Sequence, residues 1–130
     1  MSKFNTKFTN FNNALERLKE AVEEYAHNNS DVVRDGVIQR FEFTYELAWK
    51  TTKQYLEEIG IVDKNSPKAV FKEAYTQKLI VNEQNWLLML NDRNMTTHVY
   101  KKEIAQKISE RIIQCYIKEF ELLLAELQKF

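Results

Sequence analysis

The chain has 130 residues with nineteen basic and nineteen acidic side chains, so its formal net charge is zero and no global basic field exists to capture nucleic acid. Apolar residues make up 44%, including eight Phe, six Tyr and two Trp, which excludes a disordered chain and supplies a real core. Two Gly and one Pro argue against turn-rich sheet folds, and one cysteine excludes an internal disulfide, as suits a reducing compartment.

Phe4, Phe8, Phe11, Leu15, Leu18, Val22 and Tyr25 recur at steps of four and three, one apolar stripe on a first helix that ends before the turn His27 to Ser30. Asp31 is the expected cap of a long second helix running to Ile59, with Gly60 at a left-handed C-terminal cap. On this helix Ile38, Phe41, Tyr45 and Ala48 share one face, and Phe43 and Leu47 lie roughly opposite. A helix apolar on two sides is either central in a bundle or also faces another subunit.

Ser66-Pro67 reads as a helix start, and the short helix that follows carries Val70, Phe71 and Ala74. Asn82 is the expected cap of a fourth helix through Trp86 to Leu90, ending near Arg93. A connector from Asn94 to Tyr100 leads to the last helix, with Ile104, Ile108, Ile112, Tyr116, Phe120, Leu123 and Leu127 on one side. Short connections between amphipathic helices predict an all-α fold: an antiparallel up-and-down bundle of four main helices plus a short one, spanning 1–130 as a single domain. No apolar run of ~20 residues is present, so no membrane span is expected. With no signal-like N-terminus, the expected location is cytoplasmic.

The segment with most chemical potential is Arg93-Asn94-Met95-Thr96-Thr97-His98-Val99-Tyr100. An arginine ending one helix and a histidine just before the next can face one concavity. Guanidinium matches phosphate oxygens, and imidazole titrates near neutrality. Together they could hold and cleave a phosphodiester without a metal. The ordinary reading stands beside this one. Arginine is favourable at any helix C-terminus, Thr96 or Thr97 would cap the fifth helix, and a loop histidine is commonly just surface.

Glu42 and Glu46 share a helical face, but no metal-ligand pattern closes around them, and pairing with Arg40, Lys50 or Lys53 explains them better. Arg34, Arg40 and Lys50 could form a basic stripe or simply a solvated face. Cys115 lies in an apolar stripe and reads as a small packed hydrophobe.

The run Arg40-Phe41-Glu42-Phe43-Thr44-Tyr45-Glu46-Leu47-Ala48-Trp49-Lys50 resembles the hallmark of the nucleotidyltransferase substrate-binding proteins, a HEPN superfamily group. Three further segments resemble theirs in the same order: Ser66 to Ala74, Trp86 to Leu90 and Arg93 to Tyr100. The resemblance covers about residues 30 to 115. It implies a HEPN-like bundle that homodimerises and works with a separate, minimal nucleotidyltransferase. It also implies that the R-x4-H pair, Arg93 and His98, is a ribonuclease site needing no metal or other cofactor, with RNA as substrate. Asn94 and Thr97 are then supporting phosphate contacts. In related toxin–antitoxin pairs the motif extends to R-x4-H-x-Y, and the partner adds AMP to that tyrosine, here Tyr100. The alternative that the resemblance implies is a non-catalytic substrate-binding or scaffold subunit of a two-component nucleotidyltransferase.

Overall fold

Side-chain caps start four helices of the computed structural model, which describes residues 2–130. Ser2 Oγ accepts from the Asn5 amide at 3.0 Å and opens α1 (Lys3–His27). Ser30 Oγ accepts from the Val33 amide at 3.1 Å and opens α2 (Asp31–Glu58). The cap is therefore Ser30 and not Asp31, because the serine is the residue with extended backbone; Asp31 is already helical. Ser66, followed by Pro67, opens α3 (Pro67–Thr76), and Asn82 opens α4 (Glu83–Asn94). Each such cap is worth about 1 kcal/mol. Gly60 has φ of 93°, the left-handed conformation expected after α2.

Beyond α4 the connector is a 3₁₀ turn, Met95–His98, and then α5 begins (Lys102–Arg111). α5 runs through a π-helical turn (Ile112–Tyr116) into α6 (Ile117–Gln128), so the last helix is one underwound rod. The sequence holds the reason. Ile104, Ile108, Ile112, Tyr116 and Phe120 are all four apart. Four residues turn an α-helix by ~40° more than a full circle, so four such steps would carry the stripe ~160° round the rod. The wider π turn takes up the drift and keeps Ile108, Ile112, Tyr116 and Phe120 buried together.

The helix directions follow from cross-links. Arg40, Thr44 and Thr51 donate to the carbonyls of Arg17, Ala14 and Lys7, so α2 runs antiparallel to α1. Phe4 packs on Phe130 and Phe11 on Phe120, so α6 also opposes α1. Asn85 donates to Glu119, and Asp92 accepts from Arg111, so α4 opposes the α5–α6 rod. The result is the antiparallel up-and-down bundle expected, with short α3 packed on it through the stacked pair Phe71–Trp86 at 4.3 Å. No strand occurs among the described residues, and none of their helices is long and apolar enough to cross a membrane.

The core is aromatic. Phe41 of α2 contacts Tyr45, Tyr116 and Phe120, and Phe120 contacts Phe11 and Trp86. Burial of each such ring contributes about 2–3 kcal/mol. The second apolar side of α2 is not covered within the chain: Leu47 is half-buried, and Phe43 is 61% exposed.

Candidate active site at the end of the fourth helix

The last turn of α4 is anchored by a buried carboxylate. Asp92 is 2% exposed. Its Oδ1 accepts from Arg111 Nη1 at 2.6 Å, and its Oδ2 accepts from the Tyr116 hydroxyl. Residues five apart, such as Arg111 and Tyr116, lie about 140° apart round an α-helix. The π turn between them, with its i→i+5 hydrogen bonding, stacks them toward one side, so both reach the same carboxylate. Burial, and then the Asp92 hydrogen bond, push the Tyr116 phenol well above its ordinary range; the Asp92 hydrogen bond raises Arg111 as well.

Arg93 follows Asp92, and one helical step turns it toward α2. Its Nη2 lies 3.1 Å from Glu46 Oε2, and its Nε is buried without a hydrogen-bond partner. Glu46 also lies 3.8 Å from Lys50. Beside them the Tyr45 hydroxyl is buried and unpaired. Burial raises that phenol strongly, and the nearby Arg93 charge only partly opposes it. A cleft of about 630 Å³ opens here, lined by Ala14 and Arg17 of α1, by Gln39, Arg40, Glu42, Phe43 and Glu46 of α2, and by Arg93.

The connector leads away from this cleft. Thr96 is buried, and its Oγ1 donates to the Arg93 carbonyl at 2.7 Å, closing the end of α4. Asn94, Thr97, His98 and Tyr100 are exposed. The His98 and Tyr100 rings sit 6.1 Å apart, and Lys101 Nζ lies 6.0 Å from the Tyr100 ring. Thus the structure brings His98 and Tyr100 together, while Arg93 faces Glu46 in a cleft that His98 does not line. Neither Thr96 nor Thr97 caps α5. Lys101 holds the cap position without a side-chain bond, because both threonines lie in the preceding 3₁₀ turn and Thr96 bonds back to α4.

Three further residues belong to this site and escaped the sequence reading: Asp92, Arg111 and Tyr116. The run of fours through Tyr116 was the signal for the turn that aims two of them. Glu46 pairs with Lys50 as expected, but its shorter contact is to Arg93, 47 positions on. Arg34, Arg40 and Lys50 form neither a basic stripe nor a simple solvated face, since Arg34 is buried against Asp31 and Asp35. Cys115 is partly buried, and burial raises its thiol. Among the described residues no three His, Cys, Asp or Glu side chains gather as a metal site.

Comparison with known proteins places this geometry in context. A family model described as nucleotidyltransferase substrate binding protein like matches residues 6–129. A Haemophilus influenzae protein named probable ribonuclease HepT is 31% identical over 103 residues, which is 76% of this chain and 70% of that protein. A solved Haemophilus influenzae structure, described as revealing the fold of a substrate binding domain of a nucleotidyltransferase, superposes with a TM-score of 0.85. Its identity is 27%, and the match covers 93% of this chain and 98% of that one. A tri-AMPylated Shewanella oneidensis HEPN toxin, solved in complex with its MNT antitoxin, superposes over 100% of both chains. The TM-score is 0.80 and the identity 17%, a likeness of fold.

Proposed function

The chain belongs to the nucleotidyltransferase substrate-binding protein family, and we propose that it is a cytoplasmic HEPN toxin: a homodimeric, metal-independent endoribonuclease neutralised by a minimal nucleotidyltransferase. His98 takes the proton of an RNA 2′-hydroxyl as its oxygen attacks the adjacent phosphorus. Arg93 stabilises the charge on the phosphorane, and the 5′ oxygen leaves. Asn94 and Thr97 give supporting phosphate contacts. AMP added to Tyr100 sets a phosphate and a purine two positions from His98, where they compete for the same cations.

The observation that carries this reading is the R-x4-H-x-Y segment at the α4–α5 junction, with His98 and Tyr100 exposed and adjacent and Arg93 at a cleft. The relative named probable ribonuclease supports it. In this reading a homodimer completes the site: within one chain Arg93 lines a cleft that His98 does not, and a second copy across a two-fold axis supplies a histidine to each arginine. The test is RNA cleavage by the purified protein in excess chelator. The expected result is cleavage that His98→Ala abolishes; undiminished cleavage by that variant would falsify the assignment.

A second reading has one specific support. Arg93 is already engaged by Glu46, as in a subunit that binds a substrate for its transferase partner without cutting anything. Copurification with that partner, with no RNA cleavage even when Tyr100 is unmodified, would favour it.

A further inference from the structure

The cleft beside Arg93 has a chemistry of its own. Its volume of about 630 Å³ falls in the range of small-ligand sites, about 300–1,000 Å³. Arg17 forms no ion pair among the described residues. Arg40 spends one Nη on the Arg17 carbonyl at 2.6 Å, which ties α1 to α2 but leaves the guanidinium charge without a carboxylate. Of the two lining acids, Glu46 is committed to Arg93 and Lys50, so only Glu42 opposes Arg17 and Arg40. A local cationic excess thus sits on a chain of zero net charge. In the same lining Phe43 is 61% exposed, on a helix whose neighbouring aromatics Phe41 and Tyr45 are buried. An aromatic face flanked by guanidinium groups is how single-stranded RNA is held: every base offers a stacking face, and arginines take the phosphates.

We propose that this cleft binds a nucleotide of single-stranded RNA next to the cleaved bond, with Phe43 stacking on its base and Arg17 and Arg40 holding its phosphates. The proposal rests on the ribonuclease reading of Arg93 and deepens it. The α2 run from Arg40 to Glu46 then acts as a substrate-gripping face, which gives a role to the aromatic ring that one side of α2 leaves uncovered within the chain.

The test separates binding from cutting. The probe is a short fluorescein-labelled oligonucleotide, 2′-O-methylated throughout so that no 2′-hydroxyl can attack, titrated with the full chain and followed by anisotropy. The wild type binds saturably, and its affinity falls with salt. Phe43→Ala weakens binding at least about fivefold. Arg17→Ala weakens it and lowers the salt slope by about one contact. Light scattering on each variant reads the assembly state in parallel. Unchanged affinity in both variants overturns the proposal. So does a loss confined to Phe43→Ala and accompanied by dissociation to monomers, which would make this face a contact between copies. If the oligonucleotide binds through these residues while ordinary RNA stays intact, the nuclease reading fails and the cleft stands. If RNA is cut and both variants bind normally, the reverse holds.

Discussion

Arg93 and Glu46 bridge α4 and α2 as a half-exposed ion pair, Nη2 to Oε2 at 3.1 Å, with side-chain exposures of 40% and 33%. A pair this wet contributes at most about 1 kcal/mol to stability. Under the proposed ribonuclease function its weight falls on activity, because the carboxylate occupies the guanidinium that a phosphate would need. Glu46→Gln is therefore expected to shift Tm by no more than a few degrees while lowering the KM for RNA several-fold. Thermal melts and steady-state cleavage rates check it, and a raised KM would show that Glu46 orients Arg93 and does not compete for it.

Asp92 is the opposite case. It is buried, and it holds Arg111 and the Tyr116 hydroxyl at the turn that aims Arg93. Asp92→Asn removes the charge from a hydrogen-bonded carboxylate and leaves a poorly matched amide facing Arg111. The expected cost is about 2–3 kcal/mol in urea unfolding, with Arg111 relieved in part by its own access to water. Cleavage at a temperature where the variant is fully folded should still fall, since the end of α4 loses its anchor. A folded variant with normal kcat would confine Asp92 to stability.

The bundle was legible because its information is local. Apolar steps of three and four, Ser66-Pro67, Asn82 and Gly60 each announce a helix or its end without reference to the rest of the chain. The site was legible only in part. Arg93, His98 and Tyr100 could be picked out as a cluster of capable groups, but the partner of Arg93 lies 47 positions away, and no periodicity encodes a contact between α4 and α2. Nothing in the sequence sets Asp92 apart from any other helix-end charge. Only the π turn, which sets Arg111 and Tyr116 on one side, makes it the anchor of the site. The unbroken run of fours from Ile104 to Phe120 carried that turn, and it reads as an ordinary stripe until its drift is added up.

Two buried tyrosines predict alkaline sensitivity. Burial raises both Tyr45 and Tyr116, and the Asp92 hydrogen bond raises Tyr116 further. A group whose folded pKa lies above its unfolded value contributes its full stability below the unfolded value, here about 10 for tyrosine. That contribution is lost as pH rises, because the unfolded chain releases the proton first. Unfolding free energy should hold up to about pH 9 and then fall by up to ~1.4 kcal/mol per pH unit for each tyrosine. Tyr45→Phe removes one of the two slopes, and it should be neutral or mildly stabilising near neutrality because the hydroxyl it deletes has no partner. A Tyr45→Phe variant with the full alkaline slope would rule out its share.

Tyr100 is the last residue whose place makes a testable demand. It is 76% exposed, its ring lies 6.1 Å from that of His98, and Lys101 sits beside it. An exposed phenol can reach another protein's active site without local unfolding, and a neighbouring ammonium favours an incoming polyphosphate. Co-expression with a minimal nucleotidyltransferase should add AMP, seen in the intact mass, and Tyr100→Phe should remove at least one such unit. Because the ring is solvent-facing, that substitution should change stability by less than about 0.5 kcal/mol. RNA cleavage by Tyr100→Phe should then persist in the presence of the transferase, whereas the wild type is silenced. Silencing of the variant with no mass change would mean that the partner blocks the cleft by binding alone. The exposed tyrosine would then be a bystander.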